Sequence, residues 1–209
     1  MIGLIYKNIL VLRKTLLLEL AILALILVMM PSDTWHLAIP FGIALMWFLS
    51  ASMSLGYDEQ CNFTRFAFSA PITRRDYVFS KYVPALGLAL LSFCSSFMLC
   101  CFYANLPTDQ SFLSATLFYT LLLVLASVLL PAIFKFGSQK GQIIMVATYL
   151  VLFSLLSSYE KIALSILNLI QAVLHMNLFA AGILFLGVSS LALIASAMLS
   201  VRIVNQKEY

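Results

Sequence analysis

The amino-acid sequence predicts an all-α integral membrane protein with six transmembrane helices and both termini in the cytoplasm. Of the 209 residues, 63% are apolar and only 10% are charged, and the mean hydropathy is +1.06. The apolar residues form runs of about 20, the length of a helix that crosses a bilayer while satisfying its own backbone hydrogen bonds. The period-two alternation of a transmembrane barrel does not occur in the sequence.

The six spans are predicted from the charged residues and prolines that interrupt the apolar runs. They cover residues 15–30, 38–57, 83–103, 112–134, 142–159 and 178–201. The first run lacks the small-residue cleavage pattern of a signal peptide, so it is predicted to remain as a span. Because the loops are short, residues 1–209 are predicted to form a single transmembrane domain.

The distribution of basic residues predicts the orientation of the spans. One side carries nearly all of them, namely Lys7, Arg13, Lys14, Arg65, Arg74, Arg75, Lys81, Lys135, Lys140, Arg202 and Lys207. The loops on the other side carry only Lys161. Loops rich in Lys and Arg stay in the cytoplasm, so both termini are predicted to be cytoplasmic, and that requires an even number of spans.

Two further segments are predicted to lie at the membrane surface. Residues 160–177 are too short in their apolar part for a seventh span, and their polar residues recur every three or four positions. They are predicted to form an outer loop with an interfacial helix between spans five and six. Residues 1–14 combine an apolar face with three cations, which fits either an in-plane cytoplasmic helix or an extension of span one into water.

The charged segment 58–82 is predicted to be a cytoplasmic loop. Thr73 and Asp76 fit the Ser/Thr-x-x-acid capping box, so a helix is predicted to begin at Thr73 and to continue into span three, with a bend at Pro84. Before it come acids and aromatic residues around one arginine, namely Asp58, Glu59, Phe63, Arg65, Phe66 and Phe68. Cations alone would suffice to fix topology and bind lipid headgroups. Aromatic residues beside Arg favour a docking surface for a cytoplasmic protein.

The motifs in this loop resemble those of ABC transporter type-2 permeases. The order "YDE...F-x-x-S-A-P-I-T-R-R-D-Y-V-x-S-K-Y" is similar to the loop between spans two and three of that family. The opening "LIYKNILVLRKTLL" resembles the N-terminus of its small six-span branch, which includes the phenol-soluble-modulin exporter permeases of Gram-positive bacteria. Individual residues match in about the first third of the chain. Over the whole chain, the match is in the number and topology of the predicted spans.

This resemblance implies a role in ATP-driven export. Residues 60–69 would form a coupling segment in a groove of a separate ATPase, followed by the residues Pro71, Arg74, Arg75, Asp76, Lys81 and Tyr82. The family usually has Leu where this chain has Ala70. Two ATPase copies, with their ATP and Mg²⁺, and a second permease half, identical or related, would complete the assembly in a bacterial plasma membrane. The chain itself would bind no cofactor, and the cargo would be an amphipathic or hydrophobic peptide, toxin or drug.

The sequence offers no catalytic or metal-binding motif. The segment "FGSQKGQ" lacks the spacing of a phosphate-binding loop, and no Gly-x-Ser-x-Gly is present. His36 and His175 are isolated, so neither is predicted to be a metal ligand. Glu19 is the one acid inside a span, and a structural role or a role between two permease halves is favoured over cargo binding. The alternative to a transporter is a non-transporting immunity or sensor component that docks a cytoplasmic partner.

Overall fold

Five long helices make up most of the described part of the chain. The computed structural model describes residues 2–29, 31, 34–63, 66–67, 73–102, 107–137, 147, 150, 154 and 178–206. The helices are α1 (Ile2–Met29), α2 (Trp35–Gln60), α3 (Arg74–Phe102), α4 (Thr108–Phe136) and α5 (Leu178–Gln206). The all-helical class is thus confirmed for these residues. The predicted span 142–159 and the outer segment 160–177 lie outside the described residues, apart from three isolated positions.

Four of these helices, α2 to α5, are long and apolar enough to cross a membrane. α1 is not among them, because every 18-residue stretch of it contains Arg13, Lys14 and Glu19. α1 also runs unbroken from Ile2 to Met29. These bounds leave both possibilities for residues 1–14, an in-plane helix or an extension of span one, as predictions. The six-span topology and the cytoplasmic position of the termini stay predictions.

The helices pack around α4, which contacts α3 and α5 extensively and α2 more weakly. The core between them is filled by large side chains from each of these four helices, among them Trp47, Phe48, Tyr82, Leu122, Leu130 and Val204. Two glycines allow close approach: a Cβ on Gly42 would collide with Leu23, and one on Gly182 would lie 2.6 Å from Phe112 Cε1. Small residues at such positions are typical of helix contacts within membranes.

A directed chain of hydroxyl groups links α3, α5 and α4. Pro131 has no backbone N–H, so the Ser127 carbonyl one turn earlier lacks its usual partner. Ser196 Oγ donates to that carbonyl at 2.7 Å. Because the Ser196 hydroxyl hydrogen is used in that bond, Ser196 must accept a hydrogen bond from the Tyr82 hydroxyl, at 2.8 Å. The Tyr82 hydroxyl oxygen in turn accepts from the Ser200 hydroxyl, also at 2.8 Å. The break that a proline leaves in α4 is thus satisfied by side chains of its neighbours.

Two residues in the left-handed region of backbone space follow helix ends. Asn62, with φ of 47°, lies just beyond the last turn of α2, and its amide donates to the Glu59 carbonyl at 3.1 Å. Gly137, with φ of 84°, follows α4 and donates to the Ile133 carbonyl at 2.9 Å. Asn and Gly are the residues that most readily take this conformation, so both ends are set by local sequence.

Candidate functional site

The candidate site lies where the last turn of α2 meets the first turns of α3, at the two ends of the predicted coupling loop. Thr73 Oγ1 donates a hydrogen bond to Asp76 Oδ2 at 2.8 Å, and the Asp76 amide donates to Thr73 Oγ1 at 3.1 Å. These bonds satisfy an amide that has no partner within the helix. The first half of the predicted capping box, the bond from the Asp76 amide to the Thr73 side chain, is thus confirmed, and α3 starts directly after Thr73. α3 then continues through Pro84 to Phe102 as one helix, and these bounds leave the predicted bend at Pro84 untested.

Asp58 is the centre of a buried polar cluster, which we call the Asp58 cluster and which consists of Lys7, Asn8, Ser54, Asp58, Tyr77 and Lys81. The Asp58 side chain is only 2% exposed. Lys7 Nζ binds its Oδ1, Lys81 Nζ lies 2.7 Å from Oδ2, and the Tyr77 hydroxyl donates to Oδ2 at 3.1 Å. A buried carboxylate is tolerated when it is paired and hydrogen-bonded. Asp58 therefore joins α2 to both α1 and α3.

The Lys81 ammonium uses all three of its N–H donors inside the cluster. Besides Asp58, it donates to Ser54 Oγ at 2.5 Å and to Asn8 Oδ1 at 3.0 Å. An ammonium cannot accept, so the Asn8 amide must turn its oxygen toward Lys81. The Ser54 hydroxyl donates to the same oxygen at 3.3 Å. Lys81 thus binds α1 and α2 at once, from the second turn of α3.

A cavity of about 40 Å³ adjoins the cluster. Asn8, Ser54 and Lys81 line it on one side, with Trp47 and Pro84 among the apolar residues. Asn8 Nδ2 is buried and has no hydrogen-bond partner among the described residues. A space of this size admits only a few water molecules.

The beginning of α3 is also tied to the end of α5. Arg74 Nη1 donates to the backbone carbonyls of Val204 at 3.2 Å and Asn205 at 2.7 Å. The last carbonyls of a helix have no intrahelical partner, and a cation there also complements the helix dipole. Together with the Tyr82 hydroxyl, Arg74 makes α3 the helix that connects the other elements at this end of the bundle.

The structure divides the predicted ATPase-coupling residues into an interior group and a surface group. Asp58, Lys81 and Tyr82 are buried within the bundle. Those at the surface are Glu59, Phe66 and Arg75, which are exposed, with Phe63, Arg74 and Asp76 partly buried. The remaining three, Arg65, Phe68 and Pro71, lie outside the described residues. The interior group is not available to touch another protein, and any effect it has on a partner must pass through the helices.

Aromatic side chains lie beside the cluster on its loop side. The ring centroids of Phe63 and Phe66 are 6.5 Å apart, and Lys7 Nζ lies 3.5 Å from the Phe63 centroid. A cation over an aromatic face is attracted by the ring quadrupole. Lys7 therefore contacts both the Asp58 carboxylate and the first described residues of the loop.

Four members of the cluster were not predicted from the sequence: Lys7, Asn8, Ser54 and Tyr77. Two of them carry a weak signal, since Ser54 precedes Asp58 by four residues and Tyr77 precedes Lys81 by four, which puts each pair on one helix face. Lys7 and Asn8 have no such signal. Their pairing with Asp58 and Lys81 depends on how α1 packs against α2 and α3.

Glu19 is buried on α1, away from the cluster in sequence. Its side chain is 7% exposed, and neither carboxylate oxygen has a hydrogen-bond partner among the described residues. A buried charge at membrane depth is costly and is often functional. Its predicted role, structural or between two permease halves, stays a prediction.

No group of three or more His, Cys, Asp or Glu side chains that could hold a metal ion occurs in the described ranges.

Together, the fold and the site define a helical integral membrane protein with a charged internal loop. The Asp58 cluster fixes the two ends of that loop. The class is narrowed by the family model for "ABC-2 family transporter protein", which matches residues 3–205. The chain belongs to the ABC-2 transporter family, and the resemblance seen in its loop is confirmed at that level.

Membership in this family makes the chain an integral membrane component, the permease, of an ABC transporter. Such permeases normally work with ATPase subunits and are generally not catalytic themselves. Comparison with curated proteins and with solved structures found no match. The narrower resemblance to phenol-soluble-modulin exporter permeases stays a prediction.

Proposed function

We propose that this chain is the permease half of an ATP-driven exporter, and that a separate ATPase docks on the loop between α2 and α3. The observation that supports this most is the Asp58 cluster. A loop can transmit a movement of another protein to the membrane helices only if the ends of the loop are rigidly attached to those helices. Here both ends are fixed, α2 by Asp58 and α3 by Lys81, Tyr77 and Arg74.

The surface group supplies the contact in this proposal. Phe66 is 69% exposed, and Arg75 is exposed one residue beyond the start of α3. Exposed aromatic residues with Arg nearby are the composition of energetically important protein contacts. Two permease halves, identical or related, and two ATPase copies would form the assembly. Closure of the ATPases on ATP and Mg²⁺, which they bind, would rock the helices from an inward-facing to an outward-facing state.

The ATPase contact is tested by purifying the chain from membranes of its native host in mild detergent and identifying bound proteins by mass spectrometry. We expect a stoichiometric ATPase that is lost in Phe66→Ala. Phe102→Ala is the matched control, because Phe102 is 77% exposed at the other end of α3. Purified wild-type chain without an ATPase would overturn the proposal and favour the sensor or immunity component. An ATPase lost equally in both variants would overturn the docking site.

The proposed cargo is amphipathic or hydrophobic: a peptide, a toxin or a drug. Many exposed positions of α1 and α5 are leucine, isoleucine, valine or methionine, including Leu25, Val28, Leu191 and Met198. A path between two such halves would offer cargo few hydrogen bonds and much apolar surface, which favours apolar solutes over sugars. We expect a synthetic amphipathic helical peptide to stimulate ATP hydrolysis by the purified assembly in liposomes, and maltose to have no effect. Stimulation by maltose alone would contradict this cargo class.

A further inference from the structure

The first half of α1 is attached to both ends of the coupling loop, whereas its second half is mostly exposed. Leu4, Asn8 and Leu12 are buried at steps of four residues, so they form one face of the helix that packs on its neighbours. Beyond Thr15 the large apolar side chains are more than half exposed at Leu17, Leu18, Leu25 and Val28. α1 is therefore joined to the Asp58 cluster through the half that carries Lys7 and Asn8, while its second half contacts only α2 in the bonds described, through Leu23 beside Gly42 and the Leu27 carbonyl, which accepts from Trp35 Nε1 at 3.2 Å.

Lys7 and Asn8 divide their contacts between the two ends of the loop. Lys7 binds Asp58, in the last turn of α2, and lies over the ring of Phe63 just past the end of that helix. Asn8 accepts from Lys81 on α3 and from Ser54 on α2. Neighbouring residues on one helix thus attach α1 to both α2 and α3, and α1 cannot shift against either helix at this end without breaking one of these contacts.

Breaking such contacts is costly, so the three helix ends should move as one body. Removing one partner of a buried ion pair leaves an uncompensated charge away from water. Asp58 would keep Tyr77 and Lys81 without Lys7, and Lys81 would keep Asp58 and Ser54 without Asn8. The joint between α2 and α3 therefore survives loss of either α1 residue. What is lost is the attachment of α1.

We propose that Lys7 and Asn8 are positioning residues that make the first half of α1 follow the coupling loop during the ATP cycle. The inference rests on the proposed function, since it assumes an ATPase that moves the loop. It adds a third helix to the transmission and assigns its attachment to two residues of α1. α1 would then respond to ATP although it lies far from the loop in sequence.

The test is hydrogen exchange, followed by mass spectrometry, on the assembly purified with its ATPase, with and without Mg-ATP and vanadate. In the wild type we expect nucleotide to change exchange in residues 61–73 and in residues 2–12. In Lys7→Met and in Asn8→Ala we expect the change in 61–73 to persist and the change in 2–12 to be lost. Lys7→Arg should restore it, because it keeps the charge. Lys14→Met is the control on the exposed side of α1 and should behave as wild type.

The outcomes separate the two proposals. If nucleotide leaves residues 61–73 unchanged in the wild type, the coupling function itself fails. If 61–73 respond but 2–12 do not, or if 2–12 still respond in both Lys7→Met and Asn8→Ala, only the role of α1 is overturned. Should Lys7→Met yield no intact assembly, Asn8→Ala decides the question, since it leaves every charge in place. Failure of Lys7→Arg to restore the response would also count against the ion pair as the link.

Discussion

Asp58 and Glu19 are both buried acids on neighbouring helices, yet their surroundings are opposite. Asp58 receives three donors from two other helices, while Glu19 receives none among the described residues. The chain thus satisfies a buried charge fully where it must hold three helices in register. Where the described helices supply no donor, Glu19 stays buried without a hydrogen-bond partner among them, and its role, structural or between two permease halves, stays a prediction.

The largest effect should come from Asp58→Ala, since it leaves the buried ammonium of Lys81 and the partly exposed ammonium of Lys7 without their shared anion. We expect the free energy of unfolding to fall by about 3–5 kcal/mol, measured by denaturation in mixed detergent micelles. Asp109→Ala, at an exposed position in the first turn of α4, should cost less than about 1 kcal/mol. Equal losses of unfolding free energy in the two variants would show that Asp58 does not stabilise the fold more than an exposed acid does.

A smaller loss is expected from Tyr77→Phe, which removes a single hydroxyl and leaves both lysines on Asp58. A hydrogen bond to a charged group contributes about 1.5–3 kcal/mol, and the same unfolding measurement should report a loss near the lower value. Tyr57→Phe provides the comparison, because Tyr57 precedes Asp58 but is exposed. If Tyr57→Phe is the more damaging of the two, the hydrogen bond from Tyr77 is not what holds Asp58.

Arg74→Ala should be milder again. Its contacts with the end of α5 lie partly in solvent, where a cation at a helix terminus contributes about 0.3–1 kcal/mol. The control is Arg75→Ala, one residue along and exposed, which should leave stability unchanged. A loss as large as that of Asp58→Ala would mean that the end of α5, and not the Asp58 cluster, is the main joint at this end of the bundle.

Glu19→Gln should have the smallest effect on the single chain, less than about 0.5 kcal/mol, because the described helices give the carboxylate no partner to lose. Its effect should appear in assembly instead, as a lower fraction of paired permease halves by native mass spectrometry. A loss of stability above about 1.5 kcal/mol would show that Glu19 is held within its own chain, since that is the lower limit for a lost hydrogen bond to a charged group.

Local sequence signals predicted the local features well. The capping box at Thr73 and the apolar lengths of α2 to α5 were visible because each depends on residues within a few positions of one another. Pro84 lies inside α3, which continues past it as predicted, because in a membrane bundle neighbouring groups can compensate the missing N–H. The bend predicted there stays a prediction.

The pairings of the Asp58 cluster could not be predicted in the same way. Lys7 and Asp58 are separated by 51 residues, and their meeting depends on the rotation of α1 about its axis and on its depth against α2. Those are set by packing of apolar faces, which the sequence leaves uniform: leucine surrounds α1 on every side. The sequence therefore predicted Asp58 as a site residue, but it did not predict that Lys7 would pair with it.

The contacts of α3 also impose an order on how the protein can be made. Arg74 and Tyr82 enter the membrane with the third helix, but their partners, Ser196, Ser200, Val204 and Asn205, are synthesised more than a hundred residues later. Until α5 has been synthesised, the Tyr82 hydroxyl and the Arg74 guanidinium of α3 lack these hydrogen-bond partners. The end of the bundle where the ATPase is proposed to dock is therefore completed last, after α5 has been made.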